Sequence, residues 1–252
     1  MNVRSSIDLN ADVGEGCGWD AELIPLVSCV NVACGAHAGD LGTMRLAVAL
    51  AQRHGAAIGA HPGFADRENF GRSEMPVSPP EAAALVVEQA RLLQKVAACI
   101  GAKVGHVKLH GALYSMASRD RALATAVVEA LAEAGRQWGS PLALVALAGS
   151  ELVSIGRAGG LRVAAEAFAD RAYMRDGTLM ARSDPGAVIT DEDSAVGQVL
   201  RIVREGIVRA ADGSEVPIEA DTICIHGDNP GAVPFARLIR RELSAAGIAV
   251  RH

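Results

Sequence analysis

Long apolar runs, basic clusters and aromatic residues are all scarce in this sequence. Charged residues or histidine interrupt every hydrophobic stretch before it reaches the roughly 18 residues that a membrane span needs. Aromatic residues make up 3% of the chain, and its 24 Lys and Arg residues are outnumbered by 29 Asp and Glu residues. A nucleic-acid-binding surface normally needs a concentrated basic patch. We therefore expect a small-molecule substrate, with no membrane and no nucleic acid among the partners.

Signals of secretion and of disulfide bonding are also lacking. The first residues lead into a polar strand without the apolar segment and cleavage site of a signal peptide. The five cysteines are scattered and include no C-x-x-C pair, which favours reduced thiols over disulfides or a zinc site. We expect a cytoplasmic protein with structural cysteines. Cys34, close before His37, is a less favoured candidate nucleophile.

The chain instead alternates short β-rich runs with Ala/Leu-rich stretches of helical spacing, as is typical of a parallel sheet surrounded by helices. Strands are predicted near 4–9, 29–33, 56–60, 104–109, 142–147, 161–166 and 222–226, and the clearest helices at 42–54, 80–100, 120–137 and 192–205. We expect a single domain over 1–252, with loop insertions near 62–79 and 167–187 and a small hairpin near 206–221.

Polar residues and glycine follow most of the predicted strands. In a parallel α/β fold the carboxyl ends of all strands open on one face, so His37, His61, His110 and His226 can line a single pocket although they are far apart in sequence. Several ionisable residues that converge in this way are more typical of an enzyme site than of a structural core.

Polar and apolar residues alternate along two of the strands. The polar set is Asp8, Asn10 and Asp12 on the first strand, and His106, Lys108 and His110 on the fourth. Such alternation indicates a closed barrel, because the strands of an open parallel sheet are usually apolar on both faces. A lysine that faces the interior is costly to bury alone, which predicts a partner carboxylate for Lys108, either Asp8 or Asp12.

The chemistry of the motifs leaves several alternatives open. Histidines in successive units with acids on the first strand are similar to the layout of a metal-assisted hydrolase, but the compact H-x-x-E-H signature is missing, so no metal is predicted. Two similar segments, 64–67 and 168–171, each carry an Arg that either binds an anion or forms an Asp–Arg loop contact. The glycines of HGDNPG could bind phosphate, although the Walker pattern is absent.

Ordered motifs extend from one end of the chain to the other: DLNADVGEG at 8–16, NVACGAHAGD at 31–40, GAHPGF at 59–64, KLHGALY at 108–114, EAFADRAY at 166–173, PGAV at 185–188 and HGDNPGAV at 226–233. With them the chain closely resembles the A-subunit family of bacterial ATP-dependent 5-oxoprolinases, formerly grouped with lactam-utilisation proteins. It departs from the family pattern K-P-H-G-A-L-Y-N at Leu109 and Ser115. The lysine, histidine and tyrosine of the pattern are retained.

The resemblance implies an α/β fold with a seven-stranded variant of the (β/α) barrel, similar to the glycoside hydrolase and polysaccharide deacetylase type. It also implies conversion of 5-oxo-L-proline to L-glutamate coupled to ATP hydrolysis, with subunits B and C as partners and ATP as cosubstrate of the complex. Because the chain lacks a nucleotide-binding signature, the hypothesis is that the partners phosphorylate the lactam and this barrel opens it. Direct ATP binding by HGDNPG is the alternative.

The hypothesis gives the polar residues distinct roles. The carboxylates activate water, the histidines protonate the ring nitrogen or orient the water, and the lysine holds negative groups of the substrate. The candidate catalytic residues are Asp12, Glu15, His37, His61, Lys108 and His110. The candidate substrate-binding residues are Asp8, Asn10, Asn31, Asp66, Tyr114, Glu166, Arg171, His226 and Asp228.

Two other functions compete with this one. A stand-alone metal-dependent amidohydrolase or deacetylase would act without ATP and contain divalent metal. A non-catalytic subunit would only stabilise its partners or deliver substrate to them, and its turnover would tolerate substitutions in the pocket. The polar interior predicted from the alternation argues against the second of these.

Overall fold

The computed structural model describes residues 5–227 and 231–252. Its strands are β1 (Ser6–Val13), β2 (Cys29–Ala33), β3 (Ala57–His61), β4 (His106–Lys108), β5 (Ala143–Leu147), β6 (Arg162–Phe168), β7 (Ile207–Arg209), β8 (Glu215–Pro217), β9 (Thr222–Ile225) and β10 (Ala249–Val250). Strands β1 to β6 and β9 pair in parallel, and β9 pairs with both β6 and β1, which closes a seven-stranded barrel. The predicted α/β barrel is confirmed.

Helices surround the barrel on its outside. They are α1 (Asp20–Leu23), α2 (Leu41–His54), α3 (Pro79–Ala98), α4 (Gly111–Arg119), α5 (Arg121–Gln137), α6 (Glu151–Ala158), α7 (Glu192–Glu205) and α8 (Ala232–Ala245), with a 3-10 helix at Ile24–Leu26. The four helices predicted most clearly correspond to α2, α3, α5 and α7. Helix α3 begins at Pro79 behind a capping box of Ser78 and Glu81, as the Ser-Pro-Pro sequence predicts.

The first strand is longer than its sequence suggests. The prediction ends it at residue 9, but β1 continues to Val13. Its apolar residues, such as Leu9 and Ala11, are fully buried in the core, while the intervening polar residues bond to groups of neighbouring strands inside the barrel. Considered alone, this polar sequence is typical of a loop. The hydrogen-bond partners inside the barrel are what allow it to form a strand.

Register between neighbouring strands brings polar residues side by side in the interior. Asp12 is in register with Asn31, Asn31 with Gly59, and Gly59 with His106. Glycine is required at position 59 because an added Cβ would lie 1.9 Å from Nε2 of His106. Because Gly59 has no side chain, the ring of His106 can be buried in the space next to it.

Two long segments connect elements at the carboxyl ends of the strands. Residues 62–78 and 169–191, all of them described, contain no helix or extended strand. The second segment is held by isolated bridges, including Arg171 with Val188 and Tyr173 with Leu179. Strands β7 and β8 form a separate antiparallel pair. Among the helices of the described ranges, none combines the length and the apolar character that crossing a membrane would require.

We predict that Gly59→Ala destabilises the protein, because the new methyl group must displace the buried His106 ring. Overpacking of this kind typically costs about 1–3 kcal/mol. Denaturant unfolding of the variant measures the change. The control is Gly197→Ala in α7, where a Cβ meets nothing within 4 Å, and where alanine should be neutral or slightly stabilising. Equal stability of Gly59→Ala and the parent chain would contradict the prediction.

Candidate active site

The centre of the site is a lysine buried between two carboxylates. Nζ of Lys108 lies 2.9 Å from Oδ1 of Asp12 and 2.8 Å from Oε1 of Glu166, and none of these side chains is more than 7% exposed. Burial disfavours the ammonium ion, but the two carboxylates outweigh burial and hold the pKa of Lys108 well above its usual range. The predicted pairing of Lys108 with Asp12 is confirmed, and Asp8 is not its partner.

Asp12 is held ionised by several neighbours. Burial alone would raise its pKa, but His61 and Lys108 together lower that pKa well below its usual range. Oδ1 also accepts a hydrogen bond from Nδ2 of Asn31 at 2.9 Å. A carboxylate stabilised in this way is a weak base, so its negative charge and its hydrogen bonds are what it offers to chemistry.

An aromatic wall borders the ion pair on the β6 side. The hydroxyl of Tyr114 donates to Oε2 of Glu166 at 2.7 Å. The ring of Phe168 packs edge-on against Tyr114 and stacks on His226, with centroids 6.0 and 5.5 Å apart. Nδ1 of His226 lies 2.9 Å from Oδ1 of Asp170. These contacts fix the phenol and the imidazole beside the buried lysine.

A layer of buried amides lies beneath the ion pair. Nδ2 of Asn31 donates to Oδ1 of Asn10 at 2.7 Å, and Asn10 donates to Thr222 at 2.8 Å. Nε2 of His106 lies 2.9 Å from Oδ1 of Asn31. Both asparagines are fully buried, and neither lines the cavity formed by the described residues. These two predicted substrate-binding residues therefore support Asp12 and Lys108 from below.

Two histidines face one another next to Asp12. Nδ1 of His61 donates to the backbone carbonyl of Lys108 at 2.9 Å, and Nε2 of His110 donates to the carbonyl of Phe70 at 2.7 Å, because a carbonyl only accepts. The remaining nitrogens, Nε2 of His61 and Nδ1 of His110, are 2.9 Å apart. Nε2 of His61 also lies 3.4 Å from Oδ2 of Asp12. In neutral rings both facing nitrogens carry lone pairs, so this contact requires a proton or another cation.

His37 and Glu15 complete this group. The ring of His37 stacks on that of His110 with centroids 3.7 Å apart. Oε1 of Glu15 lies 3.5 Å from Nε2 of His37 and 3.6 Å from Nδ1 of His110. Burial lowers the pKa of His37 to about 3, so its ring is neutral at pH 7. Within the described ranges, neither nitrogen of His37 has a hydrogen-bond partner.

The segment after β3 holds these rings in place. Phe70, whose carbonyl accepts from His110, has a φ of 56°, the only left-handed value at a non-glycine residue in the described ranges. The next residue, Gly71, has a φ of 66°, and an added Cβ would lie 2.8 Å from Cβ of His37. Unusual backbone of this kind often marks a functional site.

A cavity of about 610 Å³ opens above these groups at the carboxyl ends of the strands. This volume suits a small molecule. The cavity is lined by eight predicted site residues: Asp12, Glu15, His61, Lys108, His110, Tyr114, Arg171 and His226. Its lining also includes Arg72, Arg119 and Arg182, which the site prediction missed. The arginines at the wall suit an anionic ligand.

Two further predicted residues, Asp8 and Asp66, do not line the cavity formed by the described residues. Asp8 lies on β1, about 13 Å below Asp12 at the usual rise of a strand, where its carboxylate accepts from Ser28 at 2.6 Å and from Thr222. Asp66 accepts from Asn69 at 2.9 Å within a turn. Asp228 lies outside the described residues. The geometry thus gives Asp8 and Asp66 structural partners.

The two similar Arg-containing segments use their arginines on backbone carbonyls. Arg67 donates to the carbonyls of Gly35, at 2.8 Å, and Gly39. Arg171 donates to the carbonyls of Met180 and Ala187, at 2.6 and 3.2 Å. The neighbouring Asp170 pairs with His226 instead. Neither of the two predicted uses, anion binding or an Asp–Arg contact, describes these hydrogen bonds.

Two cysteines behave differently from one another. Cys224 is fully buried in the core, as expected of a structural cysteine, and its Sγ lies 3.0 Å from Nζ of Lys108. Sγ of Cys34 donates to the carbonyl of Val32, and burial raises the pKa of this thiol to about 12. Cys34 is therefore a protonated structural thiol at neutral pH.

Comparisons with known proteins agree over almost the whole chain. A family model described as the LamB/YcsF family matches residues 7–252. The 5-oxoprolinase A subunit of Bordetella pertussis is 51% identical over 254 residues, which cover 99% of each chain. The protein of the same name from Neisseria meningitidis serogroup A is 49% identical over 244 residues, which cover 97% of this chain and 98% of the relative.

Solved structures show the same relationship. The lactam utilization protein of Thermus thermophilus is 47% identical, and its crystal structure matches with a TM-score of 0.88 over 98% of this chain and 99% of that one. A chitinase from Ipomoea carnea is 11% identical and matches with a TM-score of 0.51 over 93% and 99% of the two chains. The second likeness concerns the barrel fold alone.

We predict that Lys108→Met destabilises the folded protein by about 3–5 kcal/mol, because Asp12 and Glu166 lose the charge that balances them in the interior. The measurement is denaturant unfolding at neutral pH. Lys103→Met is the matched control at an exposed position, where a change within about 0.5 kcal/mol is expected. A Lys108→Met variant no less stable than the control would show that the pair is not held as described.

Proposed function

The chain belongs to the LamB/YcsF family, and on that basis we propose that it is the A subunit of an ATP-dependent 5-oxoprolinase, which converts 5-oxo-L-proline to L-glutamate. Similarity to relatives of that name over nearly their full length supports the family role. The observation that carries the catalytic part is the cavity with the Asp12–Lys108 pair at its floor. A protein that only stabilised its partners would not need to keep these charges buried beside an open cavity.

The reaction requires activation of the lactam. A five-membered lactam is a resonance-stabilised amide with a poor leaving group. Transfer of the γ-phosphoryl group of ATP to the lactam oxygen releases ADP and makes the ring carbon electrophilic. One water then adds to that carbon, the C–N bond breaks, and the nitrogen takes up a proton. A second water releases phosphate from the resulting acyl phosphate and leaves glutamate.

The barrel is suited to the ring-opening step. The ammonium group of Lys108, held charged by its carboxylates, is an N–H donor for the reacting oxygen, and the arginines of the cavity wall accommodate the carboxylate and phosphate groups. Glu15 and the histidines beside it are placed to handle water and protons. Asp12 is too weak a base for that task, and instead orients His61 and Lys108.

Phosphorylation is assigned to the partners, subunits B and C. The sequence has no Walker pattern, and binding of ATP by the HGDNPG segment, which includes residues outside the described ranges, is the alternative. Because the reaction consumes ATP, the predicted location stays the cytoplasm. In this scheme ATP is a cosubstrate of the complex, and the product of the partners is the substrate of this barrel.

One competing function has a specific observation in its favour. A metal-dependent amidohydrolase that acts alone would use a group of imidazoles and carboxylates at a cavity, and Glu15, His37 and His110 are such a group. This function predicts hydrolysis by the isolated chain without ATP. The same assay therefore separates the two proposals.

The test is a reconstitution with the purified chain, its candidate B and C subunits, 5-oxoproline and ATP. We expect glutamate and ADP only when every component is present, and none when any one is left out. Glutamate formed by the B and C subunits without this chain would overturn the proposal. Glutamate formed by this chain alone, without ATP, would establish the competing hydrolase.

Within the complete complex we predict that Asp12→Asn lowers kcat by about 10²- to 10⁴-fold, because the charge that orients His61 and Lys108 is removed without a change of shape. Steady-state formation of glutamate measures the effect. Asp193→Asn, at an exposed position of α7, is the matched control and should retain activity. Full activity of a folded Asp12→Asn variant would rule out a role for this carboxylate in catalysis.

A further inference from the structure

Three side chains that could bind a metal lie close together beside the Asp12–Lys108 ion pair. Within the described ranges, one of them, His37, lacks the hydrogen bonds that buried polar groups normally have. Glu15, His37 and His110 each offer a ligand atom, and these atoms lie within 4.8 Å of one another. The three side chains are at most 6% exposed. Buried polar atoms in folded proteins nearly always have partners, so the two nitrogens of His37, which have none among the described residues, indicate a missing ligand.

The hydrogen bonds of the histidine rings point to the kind of ligand. His61 and His110 use their outer nitrogens on backbone carbonyls, which leaves their inner nitrogens 2.9 Å apart with lone pairs facing. A carbonyl that fixes the outer N–H of an imidazole is the usual arrangement around a histidine that binds a metal through its other nitrogen. A shared proton would relieve the contact between His61 and His110, but would leave His37 without a partner. A metal ion satisfies both needs.

We propose that Glu15, His37 and His110 bind one divalent transition-metal ion, with His61 as a further donor beside His110. The proposed function uses these same residues to handle water and protons, but binding of the metal itself does not depend on that function.

Distances among the donors fit such an ion. Ligands about 2.0–2.1 Å from a tetrahedral zinc ion are roughly 3.3 Å from one another. Oε1 of Glu15 lies 3.5 Å from Nε2 of His37 and 3.6 Å from Nδ1 of His110. The two rings are stacked in parallel, so the ring of His37, which no hydrogen bond from the described residues fixes, has to turn for both lone pairs to meet at the ion. The ion can enter through the cavity, because Glu15, His61 and His110 line it.

The charges of the neighbouring ion pair also favour a cation. The buried carboxylates of Asp12 and Glu166 share one ammonium ion, that of Lys108. These three groups together keep one net negative charge in the interior, which is costly to bury. A divalent ion bound beside them offsets that charge. It would also lower the pKa of a bound water, which is useful for ring opening.

The donor set identifies the class of metal. Imidazole nitrogens with one carboxylate suit zinc and its transition-metal neighbours, whereas magnesium and calcium prefer oxygen ligands. An H-x-x-x-H spacing is present at His106 and His110, but it lies along β4 and the turn after it. His106 is bonded in the amide layer below, so only His110 reaches the proposed site.

The experiment measures metal binding by the full chain alone, without ATP or partners, so that its result is independent of the proposed function. Metal content is determined after purification from metal-replete medium. The chain is then stripped with a chelator and titrated with Zn²⁺, with Mg²⁺, and with Co²⁺, whose visible absorption reports its ligands. We expect about one Zn²⁺ or Co²⁺ per chain, and no comparable binding of Mg²⁺.

Substitutions locate the site. Glu15→Gln and His37→Ala should each weaken Zn²⁺ binding about 10-fold or more and change the Co²⁺ spectrum. Glu22→Gln and His54→Ala, matched changes at exposed positions, should leave both unchanged. Circular dichroism checks that every variant is folded.

Three outcomes would overturn the proposal. The first is a parent chain that binds neither Zn²⁺ nor Co²⁺. A shared proton would then account for the contact between His61 and His110. The second is binding that folded Glu15→Gln and His37→Ala variants retain in full. The third is binding of Mg²⁺ in preference to both transition metals.

Discussion

The charged lysine buried inside the barrel is the constraint from which the rest of the site follows. An ammonium ion in the interior is stable only with carboxylates and hydrogen bonds around it. Lys108 therefore needs Asp12 and Glu166, and each carboxylate then needs its own donors, which Asn31 and Tyr114 supply. In this way one residue of β4 determines the polar character of β1, β2 and β6.

The same constraint separates the two ends of the interior. Below Lys108 the asparagines and His106 bond to one another, and none of them lines the cavity formed by the described residues. Above it the barrel opens into a cavity whose walls come from the strand ends and from the segments after β3 and β6. A rigid, fully bonded floor under an open cavity is the arrangement expected of a site whose charges must stay in place while a substrate reacts.

The sequence predicts the fold and the inner face of the strands, but not the depth of each residue. Period-two alternation correctly placed Asp12 and Lys108 inside the barrel, and the cost of burying a lone lysine predicted a carboxylate partner, either Asp8 or Asp12. It also placed Asp8 inside the barrel, but Asp8 lies deeper than Asp12. Alternation shows which face of the strand a side chain is on, but not how deep in the barrel it lies. Asn10 and Asn31 also face the interior, but they do not line the cavity formed by the described residues.

Other parts of the site depend on contacts that no local pattern encodes. The segment at Phe70 reaches His110 through its backbone carbonyl, and a carbonyl has no signature in sequence. The arginines at 67 and 171 are similar in sequence but bond to carbonyls of unrelated loops. Glu15, His37 and His110 come from three different strand ends, so the sequence identifies each as a catalytic candidate, but no compact motif shows that they form one group.

Single-turnover phosphoryl transfer in the complete complex is the most direct test of the division of labour between the barrel and its partners. The complex is assembled with the Asp12→Asn chain and mixed with 5-oxoproline and ATP labelled in the γ-phosphate. If this barrel opens the activated ring, the label should still move to 5-oxoproline, and the phosphorylated species should accumulate with little glutamate. If the variant complex transfers no phosphate to 5-oxoproline, or forms glutamate at the parent rate, the central role assigned to the barrel is wrong.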